Sequence, residues 1–393
     1  MASSIGQDPA GSLGKPRREA LQSEVTTYTG EVVYVYAFDV AYDMSRQPVR
    51  ELLGQPVAQF VVDTSKRSPR QLFFYRPQMV HLPPLERFGP RGLIRVERTI
   101  KLLPVGAVSI TVRVPFEIER IEDLVEYHDL RFNNGSLHDE VLQLAEDVRR
   151  ELMTSHLIRP VPRLADEEAY TVFCIQGPLV GAKGETISTE DWLLAHRREV
   201  AALLTQEPTP TDLSEQESDE TTSRNLSYYG KDLVVVDWDA ALVIDQPQNF
   251  AETLHVMELA NLQLAELEAY DRLLDEALDR AYRDLRPRRS RGRTDVLREL
   301  REIRIDLARL DDELLNITKF FGDWHVARIY QALSSRFHLG DWHRSIEEKL
   351  HTLDHLYQLL QQEINNRVMV ILEVTIVVLF IIDLVVLVIG LKH

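Results

Sequence analysis

The sequence predicts an α+β protein in which a mixed N-terminal sheet domain is followed by a long helical coiled-coil stalk and one C-terminal transmembrane helix. Three observations predict it. Segments rich in β-branched and aromatic residues crowd the first part of the chain, helical spacing of apolar residues takes over from Asn249, and the end is the apolar run VMVILEVTIVVLFIIDLVVLVIGL. With 393 residues and 44% apolar content the chain can bury a sizeable core. A formal charge of −17 excludes a generally nucleic-acid-binding surface, since phosphate contacts need clustered Lys and Arg. The single cysteine, Cys174, permits no intramolecular disulfide, and inside YTVFCIQ it reads as a buried, inert thiol.

Residues 1–24 read as a disordered N-terminus. They hold no apolar core of signal-peptide length, the Arg17-Arg18 pair leads into no hydrophobic stretch, and Asp8, Glu19 and Glu24 oppose a mitochondrial presequence. The soluble bulk is therefore expected on the cytoplasmic side. Residues 25–205 read as an α+β domain with strands in EVVYVYAFDV, AQFVVD, LFFYRP and LIRVERTIKLLPVGAVSITVRVPF, the last a hairpin turning near Pro104 to Gly106. Ser136 with Asp139 and Ser188 with Asp191 have the spacing of capping boxes and open two helices, with YTVFCIQ as a strand between them. Residues 206–225 are polar, acidic and contain proline, the composition of a disordered linker. DLVVVDWDAALVID, within 226–248, returns as strands to the same sheet.

Residues 249–367 read as the stalk. Asn249 and Glu252 cap a helix running to about Arg286, and Val296, Leu300, Ile303, Leu307, Leu310, Leu314, Ile317 and Phe321 trace a heptad seam. Ile346, Leu350, Leu353, Tyr357, Leu360 and Ile364 trace another, whose register continues through Ile371, Val374, Val378, Ile381 and Val385. Residues 368–391 would span roughly 36 Å as a helix, enough for a hydrocarbon core of about 30 Å. The charged Glu373 and Asp383 within it read as intramembrane oligomer contacts through hydrogen bonds between helices.

GDWH occurs twice, at Gly322 to His325 and Gly340 to His343, each time between two helical patterns. Gly suits a helix C-terminus and Asp an N-cap, so the repeat reads as punctuation in preference to a metal site of Asp323, His325, Asp341 and His343. GPLVGAKGET lacks the Gly before and the Ser or Thr after its lysine that a phosphate-binding loop requires. His343, Glu347, His351 and His355 recur every four residues and read as a solvated face. No metal, cofactor or catalytic residue is assigned. Arg286, Arg288, Arg289, Arg291 and Arg293, in RPRRSRGR, form a candidate anion-binding tip for ribosome, RNA or anionic lipid.

DWHVARIYQALSSRFHLGDWHRSIEEKLHTLDHLYQLL, followed by an Arg and an apolar helix starting with Leu372-Glu373, resembles the "required for meiotic nuclear division" family of uncharacterised membrane proteins. The likeness is best over residues 226–391, including VVVDWDAALVID and ELANLQLAELEAYD. Eukaryotic members include a mitochondrial inner-membrane protein implicated in supporting mitochondrial translation as an oligomer. The resemblance implies an oligomeric membrane protein and supplies no catalytic residues. Without a presequence, the bacterial inner membrane is the expected location, with the mitochondrial inner membrane as the alternative.

The expected function is that of a non-enzymatic, membrane-anchored oligomeric scaffold or tether presenting the α+β domain to an unknown protein partner. A CorA-like ion transporter is the rival reading, against which stand the missing second span and Gly-Met-Asn pore signature. A nucleotide- or metal-dependent enzyme comes third, with the near-miss loop as its support.

Overall fold

The computed structural model describes residues 27–44, 49–59, 78–89, 91–103, 106–133, 135–160, 167–284 and 324–390. They fall into two compact units. One takes in the described residues up to Glu266 and those from 324 to Leu339; the other takes in those from Leu267 to 284 and from Gly340 onward.

The first unit is built on a mixed sheet of β1 (Tyr28–Asp39), β2 (Ala58–Gln59), β3 (Gln78–Gly89), β4 (Gly92–Leu102), β5 (Ala107–Ile118), β6 (Glu168–Gln176), β7 (Asn225–Leu226), β8 (Leu233–Val236) and β9 (Ala240–Asp245). Their order is β7-β8-β9-β6-β1-β5-β4-β3-β2. Neighbours are antiparallel except β6 and β9, which run parallel with Phe173 opposite Leu242. DLVVVDWDAALVID thus supplies two strands of the sheet that β1 opens. The helices are α1 (Leu137–Thr154), α2 (Thr189–Ala195), α3 (Arg197–Leu204), α4 (Glu215–Thr222), α5 (Pro247–Asp284), α6 (Trp324–Arg336) and α7 (Leu339–Gly390).

Side chains alternate across a strand, so β1 sends Val32, Tyr34, Tyr36 and Phe38 to one face and Val33, Val35 and Ala37 to the other. Both sets are buried, as the continuous apolar run of a central strand requires. The first set joins Ile110, Val112 and Val114 of β5 and Val141, Leu144 and Val148 of α1 in the main core. The Ser136 cap of α1 forms: its hydroxyl accepts the Asp139 N–H at 3.1 Å and donates to the Asp139 carboxylate at 2.6 Å. Ser188 makes no side-chain cap bond to α2. The expected hairpin joins β4 to β5, and Gly106 in its turn has φ +101. A Cβ there would lie 2.0 Å from the Ala41 carbonyl oxygen, so glycine is required.

The stretch 206–225, expected as a disordered linker, is folded. A 3₁₀ turn at Pro210–Asp212 precedes α4, which buries Ser218, Thr221 and Thr222. Ser218 and Thr222 return their hydroxyls to the carbonyls of Ser214 and Ser218, at 2.9 and 2.7 Å, which makes burial of polar residues tolerable. Its acids find cations: Asp219 pairs with Arg197, Glu215 with Arg198 and Glu220 with Arg336. Composition signals disorder when such neighbours are not visible in the sequence.

The expected C-terminal transmembrane helix is corrected: among the described residues, no helix is long and apolar enough to cross a membrane. The run 368–391 is no separate element, and its described part is the end of the 52-residue α7, whose first half is strongly polar. Glu373 and Asp383 interrupt the apolar part, each costing about 2.5–3.5 kcal/mol at a bilayer centre. Tail anchoring, single-pass membrane localisation and the intramembrane setting of Glu373 and Asp383 rest on that span and fall with it. The heptad helix from Val296 to Phe321 and the arginines Arg286, Arg288, Arg289, Arg291 and Arg293 lie outside the described residues.

The corner between α6 and α7 also differs from expectation. Asp341 sits inside the first turn of α7, paired with Arg344 at 3.1 Å, and the break falls at His338, whose φ is +50. An L-residue there costs roughly 1–2 kcal/mol. His338→Gly relieves that strain but gives up the ring contact with Trp238 at 5.3 Å, so a gain below about 1 kcal/mol is expected, read as a slightly higher urea midpoint at unchanged slope.

Candidate functional site

The first half of α5 is buried on all sides from Thr253 to Leu267, although it carries His255, Glu258, Asn261, Gln263 and Glu266. The sheet explains why. β4 and β5 pair Lys101 with Ser109 and Thr99 with Thr111, which sets a polar ladder on the face opposite Val108, Ile110 and Val112. Glu258 lies against that ladder. Its carboxylate takes a salt bridge from Lys101, accepts the Ser109 hydroxyl at 2.6 Å and stands 3.7 Å from Nδ1 of His255, one turn earlier. Asn261, the next residue at i+3, donates to the Glu168 carbonyl at 2.9 Å and the Val35 carbonyl at 3.4 Å.

Burial alone would raise the Glu258 carboxyl, but the Lys101 ammonium and His255 hold it well below the usual carboxylate range. Burial lowers His255, with Lys101 adding to the effect and Glu258 opposing it. Lys101 and Glu258 keep 12% and 8% of their side chains exposed, so this is an enclosed electrostatic clamp between helix and sheet. The sequence reading missed it by treating α5 as stalk from its start. The signal was present in the polar residues of ELANLQLAE, which no heptad seam accounts for.

A second anchor ties α6 to the sheet. Arg336 bonds the Asp237 carboxylate at 2.7 Å through Nε and reaches Glu220 at 3.3 Å. Asp237 opens the tight turn between β8 and β9, where its N–H bonds the Ala240 carbonyl at 2.9 Å. Burial pushes the Asp237 carboxyl up against the pull of Arg336. The Tyr170 hydroxyl lies 3.0 Å from the carbonyls of both Asp237 and Ala240, while its ring takes Phe337 edge-on at 5.2 Å. Tyr330 donates to Gln263 of α5 at 2.7 Å.

The GDWH residues have separate duties. Asp323 lies outside the described residues, and Trp324 is 76% exposed. His325 stands 3.8 Å from Asp232, which accepts the backbone N–H groups of Tyr228 and Tyr229 at 2.8 and 2.6 Å. In the second unit His343 stands 3.8 Å from Glu347, while His351 and His355 are exposed. Among the described residues no group of three or more His, Cys, Asp or Glu could hold a metal ion.

The second unit shows what the last seam does. Ile346, Leu350 and Leu353 are buried within the single chain, as are Leu267, Leu274, Ala277 and Ala281 of α5. Lys349 bridges the two helices by pairing with Asp271 at 2.7 Å and Asp275 at 2.6 Å. The side chains of Tyr357, Leu360 and Ile364 lie outside the described residues. Further along, every large apolar side chain from Val368 to Leu384 is exposed, among them Ile371 at 65%, Val378 at 48% and Phe380 at 69%. Glu373 and Asp383 are exposed among them. A helix apolar on all sides demands cover.

Residues 29–251 match the family described as "Uncharacterized protein MJ0711, N-terminal domain". The Uncharacterized protein MJ0711 of Methanocaldococcus jannaschii is 23% identical over 219 residues, covering 56% of this chain and 65% of that protein, less than two thirds of its length. No solved structure matches. The matched range ends just inside α5.

Proposed function

The chain belongs to the family of the MJ0711 N-terminal domain, and from that premise we propose that it is a non-enzymatic oligomeric scaffold: the family's sheet unit is the presented domain, and α7 is the element through which copies associate. The observation that carries this reading is the exposed apolar run from Val368 to Leu384. Covering a large apolar side chain contributes about 1.5–3 kcal/mol when complete. Partial cover of so long a run recovers on the order of 10 kcal/mol, comparable with an association cost of about 4–15 kcal/mol. The non-enzymatic part is supported by the buried ionisable groups: Lys101, Glu258, Arg336 and Asp237 are engaged with one another and with the elements they join.

Cys174 is buried, so a cysteine introduced on α7 is readily distinguished from it. Under mild oxidation, single replacements Ile376→Cys, Val377→Cys, Val378→Cys and Leu379→Cys are expected to yield disulfide-linked dimers on a non-reducing gel at one or more positions, with the parent chain remaining uncrosslinked. Absence of crosslinks at all four successive positions, which together sample the whole circumference, would contradict the reading. So would a monomer that floats with phosphatidylcholine vesicles, since lipid would then be the cover.

A further inference from the structure

We infer that Arg98 holds the carboxylate of a small apolar monocarboxylic acid where the β3–β4 hairpin meets the first turn of α1. The site lies within the sheet unit and does not depend on the association of copies. On β3, β4, β5 and the β3–β4 turn, Arg87 pairs with Glu140 at 3.1 Å, Arg91 with Asp123 at 3.0 Å, Arg95 with Glu97 at 3.1 Å and Arg113 with Glu31 at 3.0 Å. Arg98 has no carboxylate partner among the described residues: its Nη2 donates to the Pro83 carbonyl at a long 3.4 Å, and its covered Nε–H meets no acceptor there. A chain with 62 acidic residues against 45 Lys and Arg has carboxylates to spare, so a cation left without one is a site that an outside anion can complete.

The neighbours select the anion. Arg98 stands opposite Leu82 across the ladder and Arg87 opposite Ile94, so both arginines rise on the face that carries Leu85 and Val96. Glu140, in the first turn of α1, reaches the same face through its pair with Arg87. Burial lowers the Arg98 guanidinium, with Glu140 opposing and Arg87 adding to the effect. Two guanidinium groups against one carboxylate leave one uncompensated positive charge, which a single further carboxylate neutralises. A phosphate dianion would carry excess negative charge to Glu140 and be repelled. With Nε covered, the open part of Arg98 is its Nη1–Nη2 edge, whose parallel N–H groups match the two oxygens of a carboxylate. Leu82, Leu85 and Ile94 are only partly buried on that face, so the body behind the carboxylate is short and apolar.

The test is calorimetric titration of the full chain with sodium butyrate at pH 7 and fixed ionic strength, with inorganic phosphate titrated in parallel. Butyrate is expected to bind saturably and more tightly than phosphate. R98Q should weaken butyrate about tenfold or more, the effect of losing a charge-assisted pair. R95Q should leave it unchanged, since Arg95 is 64% exposed and lies on the other face of the sheet. Circular dichroism checks that both variants keep the parent fold. E140Q leaves both guanidinium groups uncompensated and should turn the preference toward phosphate. No saturable butyrate binding by the parent, equal binding by R98Q, or tighter binding of phosphate than of butyrate by the parent overturns the site. An unchanged preference in E140Q overturns the charge argument that names a carboxylate.

Discussion

Glu258→Ala is expected to destabilise the sheet unit by about 3–5 kcal/mol, the range for removing one partner of a buried ion pair. The substitution leaves the Lys101 ammonium between α5 and the β4–β5 ladder without its carboxylate, and the Ser109 hydroxyl without its 2.6 Å acceptor. Replacing both partners with apolar residues, Lys101→Met with Glu258→Leu, should recover most of the loss, because burying two charges is itself costly. The same cluster sets the acid response. His255 is held below its ordinary 6.5, so the unfolded chain binds its proton first and stability falls as pH drops below about 6.5. Glu258 is held below its ordinary 4.5, so its contribution is present above that value and is lost as pH falls further. Urea unfolding followed by circular dichroism from pH 8 to 2.5 should show both losses, and His255→Gln should remove the first. A wild-type midpoint in Glu258→Ala would mean that the clamp contributes nothing.

Arg336→Met is expected to cost about 3 kcal/mol and to act locally. Asp237, with 8% of its side chain exposed, then keeps a carboxylate at the β8–β9 turn without its guanidinium. Arg336 also answers Glu220 of α4, so one substitution loosens the attachment of α6 and of the acidic segment together. Hydrogen exchange should report faster exchange in Trp324–Arg336 and Glu215–Thr222 than in β1. Combining Arg336→Met with Asp237→Asn should cost less than the two single changes summed, by about 0.5–3 kcal/mol. Additive effects would show that the two residues do not act as a pair.

Much of the sheet could be read from local pattern. The unbroken apolar run of β1, the turn at Gly106 and the Ser136 cap are decided by neighbours in sequence, and each forms where the residues point. The α+β class follows from them. What could not be read depends on residues far apart in the chain. The acids of α4 signal disorder until Arg197, Arg198 and Arg336 are placed beside them. Glu258 and Asn261 look like the polar face of a stalk helix until Lys101, Ser109 and the Glu168 carbonyl are brought under them. Hydropathy alone cannot separate a membrane span from the apolar end of a longer helix, and Glu373 and Asp383 stood within the run throughout. The seam of α7 was legible, but its division was not: Ile346, Leu350 and Leu353 pack in-chain, and the run after Val368 does not.

We propose that copies associate through that run, and the mass of the full chain in lipid-free solution decides the matter. Light scattering across a range of concentrations should give a multiple of the chain mass, reduced to a single chain by Ile376→Arg with Phe380→Arg, while circular dichroism shows the sheet unit intact. A single-chain mass for the unsubstituted protein at every concentration would contradict it.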